Sequence, residues 1–171
     1  MAPRYLIAFV PHLKHRKKVS PLRAIACRKT HSTQALQCPV HFSLTKTTTL
    51  KNYNSFEEEL LQLCSNEKKQ NLKFKKYTDV LPDRFWSGIS IIASKELIRL
   101  HKKLEELINK YAVEKRYMRF TPHITLTFPA KVASLEKMKV PFNSLKMDRV
   151  TILKQDEEGA PYRIHKHIKL A

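Results

Sequence analysis

Two tetrapeptides carry the residues able to do chemistry: His41-Phe42-Ser43-Leu44 and His123-Ile124-Thr125-Leu126. Each sets an imidazole two residues ahead of a hydroxyl within an apolar, strand-like stretch. Residues i and i+2 of a strand point to one face, so each tetrapeptide presents His and Ser or Thr side by side, with Phe42 or Ile124 turned away. An imidazole titrates near neutrality and can take or give a proton. A hydroxyl can donate to a phosphate oxygen where charge accumulates. Two such pairs, 82 positions apart, make a base, an acid and two donors. That is a complete set for breaking a phosphodiester from opposite walls of one cleft, without a metal. A single His-x-Ser/Thr arises readily by chance; the repetition with the same trailing Leu is what carries information.

The elements that must position these residues follow from periodicity. The run Tyr5 to Val10 predicts a buried first strand ended by Pro11, and the basic stretch Lys14 to Lys18 follows as a connection. Ser20-Pro21 predicts the start of a short helix through Leu22 to Lys29. Cys38 to Leu44 is expected as the first motif strand. Ser55-Phe-Glu-Glu58 reads as a capping box opening a helix to about Cys64. Leu72 to Val80 and Phe85 to Ala93 read as strands. Ser94 caps a long amphipathic helix with Leu97, Leu100, Leu104, Leu107, Ile108 and Tyr111 on one stripe. Phe120 to Phe128 is the second motif strand, and a short helix is expected over Ser134 to Lys139. Arg149 to Lys154 and Tyr162 to Leu170 form a hairpin. Each half thus contains a strand-helix-strand unit with one motif. The expectation is an α+β chain, residues 1–171 in a single domain of two lobes.

Composition narrows the partners. Lys and Arg total 33 against 15 Asp and Glu, a formal charge of +18, which favours a polyanion such as RNA or a nucleotide, although lysines solvated on every face give the same total. Two glycines exclude a P-loop and a dinucleotide fingerprint. Cys27, Cys38 and Cys64 are odd in number and lack CxxC spacing, as expected of reduced thiols in a cytoplasmic protein. No apolar run reaches the roughly 20 residues a membrane span needs, and the first residues lack the pattern of a signal peptide. A soluble monomer with no membrane contact is expected. His165 and His167 form an i, i+2 pair that could serve as half of a metal site with His12 or His15, but no third ligand has matching spacing, and a solvated face is preferred. Tyr162 can stack on a base or donate to phosphate, or pack as a half-buried strand residue. Trp86 can be a base platform or core. The basic stretches at Lys14 to Lys18 and Lys68 to Lys76 can track a nucleic-acid backbone or lie solvated.

The motif pair resembles the signature of the 2H phosphoesterase superfamily, which includes the 2′-5′ RNA ligase-like proteins and carries two H-x-[ST]-h motifs, one per lobe. Phe120-Thr121-Pro122-His123-Ile124-Thr125-Leu126 resembles its second motif, Arg4 to Val10 its first strand, Arg84-Phe85-Trp86-Ser87-Gly88 the strand ahead of the second lobe's helix, and Gly159-Ala160-Pro161-Tyr162 its closing strand. The resemblance implies a bilobed fold of two pseudo-symmetric antiparallel sheets with outer helices around a central cleft. It implies His41 and His123 as catalytic acid and base, with Ser43 and Thr125 holding phosphate, and no cofactor or metal. Tyr162, Trp86, Arg84 and Lys131 are the expected substrate-binding residues; Lys131 takes the place of a basic residue often seen where this chain has Pro129. Ser43 replaces the usual Thr and keeps the donor. Family substrates are 2′,3′-cyclic phosphates, 2′-5′ linked oligonucleotides, RNA ends and cyclic nucleotides. A non-catalytic RNA-binding protein, or RNA end-joining by the reverse reaction, is the alternative.

Overall fold

The computed structural model describes residues 2–81, 86–127 and 140–171, and the side chains of all of these but 76–81 and 86. Nine strands and three α-helices are found among them, with a 3₁₀ turn over Gln34–Gln37: β1 (Arg4–Phe9), α1 (Leu13–Thr30), β2 (Phe42–Ser43), β3 (Thr48–Thr49), α2 (Tyr53–Ser65), β4 (Gln70–Leu81), β5 (Trp86–Ile91), α3 (Lys95–Tyr111), β6 (His123–Thr127), β7 (Ser144–Met147), β8 (Arg149–Gln155) and β9 (Arg163–Lys169). The expected helix over 134–139 lies outside the described residues.

The strands form two antiparallel sheets, in the orders β2-β1-β8-β9 (β3 also pairing β1) and β6-β5-β4-β7. The two orders match. In each lobe the motif strand lies at a sheet edge, antiparallel to the strand that precedes the lobe's helix: β1-α1-β2 in one, β5-α3-β6 in the other. The α+β bilobed arrangement expected from the sequence is therefore present, and the two edge strands contact each other. One apolar cluster joins the lobes: Ile7, Phe9, Phe42 and Leu44 of the first sheet meet Ile89, Ile91, Ile124 and Leu126 of the second, with Leu97, Leu100, Leu104 and Ile108 of α3. The trailing Leu of each motif is thus an anchor, pulling the edge strand onto the shared core.

Two helices differ from the sequence expectation. α1 is much longer than residues 22–29 and takes in the whole basic stretch 14–18, with Pro21 inside it. Burial of Val19, Arg23, Ala26 and Cys27 along one stripe compensates for the proline, because helices in proteins draw most of their stability from packing. Its end is sharp. His31 takes the left-handed conformation (φ 53°), and the Ser32 N–H returns to the Cys27 carbonyl at 3.1 Å. α2 begins one turn before the predicted capping box: Asn52 caps it, its side-chain oxygen accepting from the Ser55 N–H at 3.1 Å. Ser94 caps α3 as expected, accepting from the Leu97 N–H at 3.1 Å.

The first motif strand is also shorter than predicted, two residues instead of seven. The carbonyls ahead of it are taken by side chains and do not enter a ladder: Arg23 Nη1 donates to the Cys38 oxygen at 3.0 Å, and His41 Nδ1 to the Pro39 oxygen at 2.7 Å.

Candidate active site

Both motifs show the same burial alternation. His41 and Ser43 are half-buried, as are His123 and Thr125, while Phe42, Leu44, Ile124 and Leu126 are buried. The period-2 reading therefore holds across both half-sites. Ser43 lies opposite Ala8 of β1, and Thr125 opposite Gly88 of β5. A bulge in β6 between the Thr125 and Thr127 pairings ends the regular register just past the second hydroxyl.

The histidines are held in the same way. His41 Nδ1 donates to the carbonyl of Pro39 at 2.7 Å, and His123 Nδ1 to the carbonyl of Thr121 at 2.6 Å. Each carbonyl belongs to the residue two positions earlier. A carbonyl can only accept, so Nδ1 carries the hydrogen in both rings and the neutral tautomer leaves its lone pair on Nε2. Burial lowers the pKa of His41 to about 4; the Pro39 carbonyl works against that, and the positive charges of Arg23 and His123 add to it. Burial also lowers the pKa of His123, against the Thr121 carbonyl. The two imidazoles sense each other's charge, so protonating one discourages protonating the other.

Two residues that sequence reasoning passed over complete the support. His101 of α3 is buried, donates Nδ1–H to the Leu44 carbonyl at 2.7 Å, and stacks on Phe120 (centroids 4.1 Å, planes 4° apart). One ring thus fastens the end of the first motif to the approach of the second. Glu105, one turn on, sits 3.8 Å from His101 Nε2 and accepts the Met118 N–H at 2.8 Å. The signal was present in the sequence: His101 stands at i+4 from Leu97, on the apolar stripe of α3. The other is Arg23, buried within α1 beside the strand of His41. α1 is in turn fastened to the second motif strand, through Cys27 Sγ to the Leu126 carbonyl (3.6 Å) and Thr30 Oγ1 with Thr127 Oγ1 (2.8 Å).

Tyr162 packs at the edge of the small cluster formed by Leu6, Ala8, Val10 and Leu153, on the sheet face that Ala8 shares with Ser43. Its hydroxyl donates to Thr47 Oγ1 at 2.9 Å, and its N–H to the Gln37 carbonyl at 3.1 Å. Trp86 opens β5, but its side chain, like Arg84 and Lys131, lies outside the described residues. The histidine pair of β9 is divided. A register shift in the β8–β9 pairing sends His165 to the face of Tyr5 and Tyr53 and His167 to the face of Thr151, so the two do not converge. His12 is engaged by Asp148 at 3.1 Å and Arg149 at 2.9 Å. Among the described residues no helix is long and apolar enough to cross a membrane, and no three His, Cys, Asp or Glu side chains cluster as a metal site.

Comparison with known proteins agrees with this geometry. The family model of the 2′-5′ RNA ligase superfamily matches residues 9–159. The structure of E. coli LigT in complex with 3′-AMP superimposes with a TM-score of 0.70 at 18% identity, over 100% of this chain and 99% of that one. A crystal structure described as a phosphoesterase gives 0.68 at 19% identity, over 100% and 99%. TT0787 of Thermus thermophilus gives 0.64 at 16%, over 98% and 97%. No curated protein sequence matches the chain. A family match spanning both motifs and a shared bilobed architecture lead to one conclusion: the chain belongs to the 2′-5′ RNA ligase, or 2H phosphoesterase, superfamily and has a LigT-like fold.

Proposed function

We propose that this protein is a metal-independent phosphodiesterase acting on RNA-type phosphodiesters: a 2′,3′-cyclic phosphate, a 2′-5′ linkage or a cyclic nucleotide. The observation that carries the proposal is the duplicated anchoring of His41 and His123, each with Nδ1–H tied to the carbonyl two residues back. That bond orients Nε2 for proton transfer in both half-sites. One Nε2 takes the proton of the attacking water or ribose hydroxyl as its oxygen bonds to phosphorus. The other gives its proton to the departing ribose oxygen as that P–O bond breaks. Ser43 and Thr125 donate to the non-bridging oxygens, whose charge grows in the transition state. The same groups run the reaction backwards as end-joining. That E. coli LigT, similar in fold, was crystallised with 3′-AMP supports a ribonucleotide-type ligand.

The test is chromatographic. The protein is offered a 2′,3′-cyclic nucleotide, a 2′-5′ oligoadenylate, a 3′-5′ oligonucleotide and a cyclic dinucleotide, with and without EDTA. Turnover of at least one, unchanged by EDTA, is the expected result. Reversible loss of turnover in EDTA rejects the mechanism.

The lowered pKa values make a second prediction. The productive form holds one proton between two histidines whose pKa values both lie below the ordinary value. The population of that form, and with it kcat/KM, is greatest on the acid side of about 6.5 and falls toward alkaline pH. A maximum above about pH 7.5 contradicts it. Stability follows the same shift. His41 is neutral in the folded protein down to about pH 4. The unfolded imidazole protonates near about 6.5, so stability is lost as pH falls from there. Urea midpoints against pH should show this slope, and His41→Ala should flatten it.

A further inference from the structure

A cavity of about 270 Å³ lies beside the segment that leads into His41, with α1 as one wall and residues 36–40 in the other. Arg16, Lys17 and Arg23 line it, and no carboxylate does. None of the three forms an ion pair among the described residues. Arg23 is only 6% exposed, and its one hydrogen bond there goes to the Cys38 carbonyl. The Nε atoms of Arg16 and Arg23 are both buried without an acceptor. Buried guanidinium nitrogens lacking acceptors are costly, and an anion in the cavity relieves that cost. Two of its lining residues are large apolar side chains left largely in solvent, Leu13 (56% exposed) and Leu36 (50%). A cationic wall beside exposed apolar side chains matches the two parts of a nucleotide.

The position relative to the histidine is short. Cys38 lines the cavity, and three residues of chain span at most about 10 Å to His41. A strand with one phosphate between the histidines therefore reaches the cavity with a neighbouring one. We infer that this cavity binds a backbone phosphate of single-stranded RNA next to the scissile linkage, with Leu13 and Leu36 against the adjoining base. The inference rests on the phosphodiesterase reading for which phosphate lies between the histidines; the binding itself does not require turnover. It makes the preferred substrate an oligonucleotide, because a mononucleotide cannot occupy both places. A merely basic surface would spread the same affinity over all of the chain's cations.

Fluorescence anisotropy with a labelled ten-nucleotide single-stranded RNA separates these cases, measured on the His41→Ala protein so that cleavage plays no part. Adding Arg16→Gln and Lys17→Gln is expected to weaken binding about tenfold and to reduce the salt slope by about 0.7, the single-strand value for one lost phosphate contact. Lys68→Gln with Lys69→Gln removes the same charge from exposed positions outside the cavity and is expected to change binding by less than about twofold. In the protein with both histidines intact, the Arg16 and Lys17 changes should raise KM for the oligonucleotide and leave a 2′,3′-cyclic mononucleotide unaffected. Equal weakening by the two pairs of substitutions, or unchanged binding with the first pair, overturns the proposal. So does a parallel fall in mononucleotide turnover. If binding behaves as expected but no substrate is cleaved by the unaltered protein, the cavity stands and the phosphodiesterase reading falls.

Discussion

The His123→Ala protein is expected to turn over its substrate about 10²–10⁴-fold more slowly, through kcat more than KM, and His41→Ala to do the same. The size follows from what each ring does. Proton transfer contributes only in the transition state, so its loss lowers the rate of chemistry while ground-state binding persists. The double variant should be little slower than either single one, because each histidine acts only in concert with the other. Each ring is half-buried and tied to a carbonyl of its own connecting segment, so truncation opens the cleft without removing core. Thermal melting should accordingly stay cooperative in both variants. Single-turnover rates within about tenfold of the unaltered protein for either variant would reject acid-base catalysis by this pair.

Thr125→Val should cost about 10²–10³-fold in kcat, and Ser43→Ala a similar amount. The hydroxyls differ from the histidines in kind: they move no proton and act by meeting charge that develops on non-bridging oxygens. Val keeps the shape of Thr at the half-buried position opposite Gly88, so the change removes a donor while preserving the packing of β6 against β5. Thr125→Ser should retain most activity, since the donor remains. The pH optimum should not move in any of these variants, which separates a phosphate donor from a residue that tunes the imidazoles. A raised KM with unchanged kcat would mean that the hydroxyl binds substrate and transition state equally, and the role assigned to it would be wrong.

Much of this molecule was readable from local pattern. Alternation of polar and apolar residues is a local property, and strands β1, β4 and β5, helix α3 and the closing hairpin follow it closely, while β6 begins at His123, three residues later than expected. The failures share a cause. α1 carries Pro21 and a run of cations that argue against a helix locally, yet a buried stripe packed on β6 makes one. The β2 strand shrinks as Arg23 of α1 takes the Cys38 carbonyl ahead of it. The histidine pair of β9 looks like a shared face until one register shift separates its members. In each case a contact distant in sequence, or a single inserted residue, outweighs the local pattern.

By itself the sequence determined the chemistry on offer: two imidazoles, two hydroxyls, their i, i+2 pairing and the apolar residues that point each pair outward. These depend only on side-chain type and on the period of a strand. Tertiary structure alone decided the rest. It lowered the pKa values of both histidines by burial and joined the half-sites through His101, whereas the carbonyl that fixes each tautomer is local, two residues back. It also turned a cationic run into one wall of a cavity beside His41. Long-range hydrogen bonds, desolvation and cavities arise only when segments far apart in the chain exclude water together, and no local pattern of residues encodes which segments those are.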